Sequence, residues 1–226
     1  MAAMATSGVL ARSVLADQVK DRLLEDILAG RYAPDSRIVE TQVARELGTS
    51  QAPVREALRG LAALGVVEIT PFRGARVRRP TSRELLEAYA VRSVLETLAA
   101  RLAVPRMSDD DLAELGGYAD RMQAAARADD GHAVAEADAS FHGRIVVLAD
   151  NRTLDKVWRS LEPFSRTYLT LVVPGADPQW SADLHTPVFA ALQGRDADAV
   201  VAALEQHFAD VAANMARRLP TDDSTP

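Results

Sequence analysis

Apolar residues recur at helical spacing along most of the chain, and one short stretch near residue 70 departs from that rhythm. Leu15, Val19, Leu23 and Ile27 stand one turn apart, which predicts a helix over 13–29. Val43, Ala44 and Leu47 mark a short helix over 40–47, and Gly48 supplies a tight turn after it. On the next helix Val54, Leu58 and Leu61 recur at i, i+4 and i+7, with Ser50 placed to cap it and Pro53 tolerated in its first turn. Residues 66–69 and 75–79 are extended runs joined by Thr70-Pro71-Phe72-Arg73-Gly74, the composition of a hairpin turn. Beyond the hairpin Ser82 is placed as a helix cap, and the spacing predicts helices over 82–103, 108–128, 132–149, 152–173, 179–193 and 196–218. No alternating strand pattern and no short repeat interrupts them.

The expected fold is therefore mainly α, an N-terminal winged helix-turn-helix followed by an all-helical antiparallel bundle of about six helices. The face opposite the Val54 stripe carries Arg55 and Arg59 one turn apart, and Ser50 and Gln51 lie at the helix start where a recognition helix meets base edges. Arg73, Arg76, Arg78 and Arg79 crowd into the hairpin beside it, within reach of phosphates or a minor groove. Residues 1–12 read as a disordered tail, 13–80 as the DNA-binding domain, 81–219 as an effector- and metal-binding domain and 220–226 as a disordered C-terminal tail.

Charge sharpens that division. The whole chain carries a net charge of -6, which alone argues against nucleic acid, but the distribution is lopsided. Residues 1–80 hold 12 Lys and Arg against 9 Asp and Glu, whereas the remainder holds 14 against 23. Only the first part suits a phosphate backbone. There is no cysteine, hence no disulfide framework, and no signal-like or membrane-spanning apolar run, so a cytoplasmic protein without a membrane partner is expected.

Three of the four histidines fall on apolar helical stripes. Asp138 and His142 form an i, i+4 pair on the stripe of Val134, Phe141, Ile145 and Leu148. His185 shares a face with Val188, Phe189 and Leu192, and His207 lies among Val200, Leu204 and Val211. If these helices face one another, one carboxylate and three imidazoles form a ligand set for a divalent transition metal, closed if tetrahedral and with two open positions if octahedral. Hydrogen-bonded core histidines are the alternative. His132, in a polar break, has no assigned role. Arg92 sits among Leu85, Tyr89 and Leu95 and needs an anion, either Glu96 one turn on or the carboxylate of a small effector. Asn214, two turns after His207, either offers an amide to the same pocket or lies exposed near its helix end.

With these pieces together, the chain resembles the GntR family of bacterial transcriptional regulators, in its FadR-like subfamily with an all-helical FCD ligand-binding domain. The resemblance covers about residues 13–218. Pro53-Val54-Arg55-Glu56-Ala57-Leu58 sits as the family's Pro-Val-Arg-Glu-Ala-Leu does, with Leu61 and Gly65 following. Arg92 to Glu96 matches Arg-x-x-Leu-Glu, Asp138 with Phe141-His142 matches Asp-x-x-Phe-His, and His185 and His207 take the places of the later histidines. Six helices in the second domain are similar to the VanR-type branch. The resemblance implies that Asp138, His142, His185 and His207 hold a metal, commonly zinc, nickel or manganese, and that Arg92 helps hold an organic acid. It also implies a homodimer on double-stranded DNA carrying a palindromic operator.

Two positions depart from the family pattern. Gln51 stands where the family usually has arginine, and Pro34-Asp35 where it usually has Pro-Gly. Arginine favours guanine and glutamine suits adenine, so the first departure bears on which bases are read. The expected DNA contacts are Thr41, Ser50, Gln51, Arg55, Arg59, Arg73, Gly74 and Arg76, with Arg92 and Asn214 on a small carboxylate effector. The expected function is a ligand-responsive transcriptional repressor without catalytic residues. A metal-dependent enzyme is the rival, against which stands the absence of a His-Glu-x-x-His run or a recognisable general base.

Overall fold

The computed structural model describes residues 3–70, 73–167 and 177–218, in two compact units that divide between Arg79 and Pro80. The hairpin tip Pro71-Phe72, the end of the helix expected over 152–173 and the C-terminal tail fall outside them.

In the first unit α1 (Ala3–Leu28) buries Val19, Leu23 and Ile27, as their one-turn spacing requires, while Leu15 remains exposed. The segment read as a disordered tail over 1–12 is helical from Ala3 onward. Ala, Met and Leu dominate it and no proline interrupts it, so nothing in it stops the helix before Gly30. Next come α2 (Glu40–Glu46) and α3 (Gln51–Ala63), joined through Gly48 at φ 63°. Ser50 has N-cap backbone geometry, but its side chain makes no capping bond. Val54, Leu58 and Leu61 are fully buried.

The wing is a hairpin of β2 (Val67–Thr70) and β3 (Gly74–Val77), with Val67 opposite Val77 and Glu68 opposite Arg76. A third strand, β1 (Arg37–Ile38), pairs antiparallel with β3 to give the order β1-β3-β2. Two residues are too few to show an alternation, so the sequence pattern does not reveal this strand. Asp35, before it, adopts φ 65°, the left-handed region that glycine fills without strain. That is the position at which the Pro-Gly pattern is departed from.

In the second unit α4 (Ser82–Ala103) begins at a capping box made by Thr81 and Glu84, one residue before the Ser82 cap expected from sequence. A 3-10 turn, Val104–Arg106, leads to α5 (Asp109–Arg127), capped reciprocally by Ser108 and Asp111. There follow α6 (Gly131–Leu148), α7 (Arg152–Thr167), α8 (Pro178–Asp183), α9 (Thr186–Gln193) and α10 (Ala197–Arg218). The described residues of this unit thus form seven α-helices where about six were expected, because the helix expected over 179–193 is broken at Leu184 and His185. Pro187 causes the break: it has no N–H for the carbonyl of Asp183 and its ring would collide with it. Phe141 and Ile145 of α6 lie at the centre of the core with Leu85, Leu115, Val188 and Leu204.

Candidate metal centre and nucleic-acid interface

Two helices and one turn bring the four candidate ligands together. Asp138 and His142 sit one turn apart on α6, and His207 lies on α10, all buried. His185 is buried too, but it lies in the turn before α9 rather than on a helical stripe with Val188. The break at Pro187 places it there. The ligand atoms of His142, His185 and His207 lie within 4.8 Å of one another. Asp138 Oδ1 is 3.0 Å from His185 Nε2 and 3.8 Å from His142 Nε2.

Hydrogen bonding at the outer nitrogens fixes which inner atoms are free. His142 Nδ1 meets the Glu96 carboxylate, and His185 Nδ1 donates to the Ser181 carbonyl at 2.9 Å. Both partners are acceptors, so both Nδ1 atoms carry hydrogen and a neutral ring leaves Nε2 bare. The two Nε2 atoms nevertheless face each other at 3.1 Å, beside the Asp138 carboxylate. With both rings neutral, three acceptors converge with no hydrogen to share, an arrangement that a cation relieves. His207 Nδ1 is buried and has no hydrogen-bond partner among the described residues. Burial, followed by the neighbouring His185 and His142, pushes the His207 imidazole well below its ordinary pKa, so its lone pair is available. For Asp138, burial opposes ionisation, but the adjoining His185, then His142 and Arg92, outweigh it and hold the carboxyl below the usual range. The four residues fit a divalent transition ion in donor type and in burial.

Glu96 is the hub of the surrounding network. Its Oε1 accepts from Arg92 Nε at 2.9 Å, Arg92 Nη2 at 2.7 Å and Trp158 Nε1 at 2.6 Å, while Oε2 faces His142. Burial works against this carboxylate, yet Arg92, His142 and Trp158 together lower its pKa to about 2. Trp158 reaches it because Gly143 leaves room, since a Cβ there would lie 3.2 Å from the indole. Glu96, the partner one turn on, is thus paired with Arg92, whose guanidinium carbon lies 5.5 Å from the Tyr89 and Trp158 ring centroids and 5.6 Å from that of Phe208. Burial opposes its charge, but Glu96 first, then Tyr89 and Asp138, raise its pKa further. Asn214 is buried on α10, not exposed near the helix end. The Arg92 and Glu96 spacing was legible in the sequence. The bond from Glu96 to His142, across 46 positions, was not.

On the first unit, Gln51, Arg55 and Arg59 are exposed along α3, and Thr41 is exposed on α2. Arg55 Nε rests on Glu40 at 3.1 Å and Arg59 pairs with Glu56, so both guanidiniums have protein counter-ions. Arg73 is exposed at the hairpin, Gly74 has φ 85°, and Arg76 Nη1 donates to the Asp35 carbonyl at 3.1 Å. Arg79 lies 3.5 Å from the Asp35 carboxylate.

Residues 15–77 match the family model of bacterial regulatory proteins of the gntR family, and residues 87–210 match that of the FCD domain. The chain belongs to the GntR family. A GntR-family protein with an FCD domain is a DNA-binding transcriptional regulator and not an enzyme, which removes the catalytic rival. The relatives agree. A protein of Paenarthrobacter nicotinovorans named "Probable D-xylose utilization operon transcriptional repressor" is 36% identical over 91% of this chain and 90% of its own length. The gluconate operon transcriptional repressor of Bacillus licheniformis is 26% identical over 89% of this chain and 85% of its own. Escherichia coli McbR/YncC shares the fold, with a TM-score of 0.80 over 90% of this chain and 97% of that one at 24% identity. Among the described residues of this GntR-family regulator, no helix is long and apolar enough to cross a membrane.

Proposed function

We propose that the chain is a cytoplasmic, homodimeric repressor that binds a palindromic operator and responds to a small organic acid held beside a divalent metal. The observation that carries the metal reading is the convergence of His142 Nε2, His185 Nε2 and Asp138 Oδ1, three acceptors when both rings are neutral. Asp138, His142, His185 and His207 would hold zinc, nickel or manganese. Such an ion supplies a Lewis-acidic position at which a carboxylate can bind.

The chain's own residues do the rest. Glu96 fixes the His142 ring through Nδ1, and the Ser181 carbonyl does the same for His185. Arg92, caged by three aromatic rings, is a pre-charged partner for an effector carboxylate, which would share it with Glu96; Asn214 supplies an amide nearby. Names of relatives that refer to D-xylose and gluconate support a small polyhydroxylated or acidic effector. On DNA, Ser50, Gln51 and Arg55 would face base edges at the start of α3, with Thr41, Arg59, Arg73, Gly74 and Arg76 on the backbone or in the adjoining groove. Metal analysis of protein purified without chelators tests the centre. One equivalent of transition metal in the wild type, lost in His142→Ala, is expected; a metal-free wild type that also takes up none from added Zn2+ overturns it.

A further inference from the structure

His185 is the one candidate ligand that no long helix carries. It lies between α8, of six residues, and α9, of eight, whereas α6 and α10 have 18 and 22. Helices as short as α8 and α9 hold little stability of their own. Two contacts from α5 bracket the turn between them. At the α8 end Gln123 Nε2 donates to Asp183 Oδ1 at 3.0 Å, and Gln179 Nε2 donates to Gln123 Oε1 and to Asp183 Oδ1, both at 2.8 Å. At the α9 end the edge of the Phe189 ring is seated against Gly116, where a Cβ would lie 2.9 Å from Phe189 Cζ.

Gly116 and Gln123 stand seven residues apart on one side of α5, roughly 10 Å along its axis at 1.5 Å per residue. Asp183 comes two residues before His185 and Phe189 four after it. The two short helices are therefore fastened to α5 on both sides of the ligand, by a triangle of two amides and a carboxylate and by a ring against a glycine. Hydrogen bonds are directional, so Gln123 serves Asp183 and Gln179 together only with α8 at one height on α5. That height also sets Ser181, whose carbonyl accepts from His185 Nδ1. The other three candidate ligands lie on α6 and α10, which take no part in the triangle.

We propose that Gln123 is a positioning residue for the metal centre: it latches α8 to α5 so that His185 Nε2 meets His142 and Asp138, with Gly116 and Phe189 as the apolar half of the latch. The inference rests on the metal reading and adds to it a residue outside the ligand set that tunes affinity. Gln123→Met keeps the length of the side chain and removes its hydrogen bonds. In the full chain it should weaken Zn2+ binding about tenfold in competition with a chelator. It should also speed backbone hydrogen exchange across α8 and α9 by about tenfold or more, with α6 and α10 unchanged. In a His185→Ala background the same substitution should leave the residual Zn2+ affinity where it stood, because the side chain through which it acts is gone. Unchanged Zn2+ affinity in Gln123→Met overturns the proposal, as do equal losses in the two backgrounds or exchange that quickens throughout the bundle. Where His185→Ala holds too little Zn2+ to measure, the exchange pattern decides. A wild type that takes up no Zn2+ overturns the metal reading, and exchange then decides by itself whether Gln123 fixes the turn. Gly116→Ala, which presses Phe189 off α5, carries the same two readouts if Gln123→Met does not fold.

Discussion

Replacing Glu96 by glutamine probes the core network at the point where sequence reasoning was blind. The change keeps size and shape but removes the charge that accepts from Arg92 and Trp158 and orients His142. Two effects of different size are expected. Losing the carboxylate behind a histidine proposed to ligate metal should cost about 10- to 100-fold in metal affinity, or roughly 1.4–2.7 kcal/mol. Leaving Arg92 buried beside a neutral amide costs about 3–5 kcal/mol of fold stability, because a buried charge loses its partner. The assay is competition for Zn2+ against a chromophoric chelator, beside urea unfolding of the metal-free protein followed by Trp158 fluorescence. Glu96→Gln should fold, bind Zn2+ at least tenfold more weakly and unfold at lower urea. Arg92→Met in the same chain should return much of the stability but not the affinity. Unchanged Zn2+ affinity in a folded Glu96→Gln protein would refute the orienting role, whatever happens to stability.

The same geometry sets three further outcomes. In metal-free protein, Glu96 titrates at about 2 when folded against roughly 4.3 when unfolded, so its contribution is complete above the unfolded value and is lost as pH falls from there towards 2. His207 adds in the same direction, since its depressed folded pKa makes stability decline once pH drops below roughly 6.5; an unfolding midpoint in urea that does not fall between pH 7 and pH 3.5 would contradict both. Gly143→Ala should cost about 1–3 kcal/mol by thermal unfolding, because the new Cβ presses on Trp158, and blue-shifted or red-shifted indole emission should accompany the loss. Selection of bound sequences from a random DNA pool should show Gln51→Arg moving one position of each half-site towards guanine by about 1–3 kcal/mol, while an unaltered half-site means that Gln51 reads no base.

How far the sequence could be read depended on the range of the interaction. The stripe Val54, Leu58 and Leu61 repeats within one helix, so it exposed both α3 and its free face, and the same holds for Asp138 and His142 on α6. The two-residue β1 strand carries too short a pattern, and its existence depends on pairing with β3 some 38 positions away. His185 was read onto a helix because Val188 and Leu192 come after it at helical spacing, whereas Pro187 forces a turn at that point. Glu96 looked like a local counter-ion for Arg92, and only packing of α4, α6 and α7 makes its other oxygen a support for His142.

The facing Nε2 atoms of His142 and His185 have a consequence for how the centre fills. With Nδ1 hydrogens committed to Glu96 and Ser181, the Nε2 lone pairs that would bind the proposed metal are the ones that a proton would also take. A metal at the proposed site would compete with protons for these atoms, so its apparent affinity is expected to rise with pH, a trend that Zn2+ titrations at several pH values check. On the proposed metal reading, the regulator's set point for metal would be tied to the acidity of its surroundings.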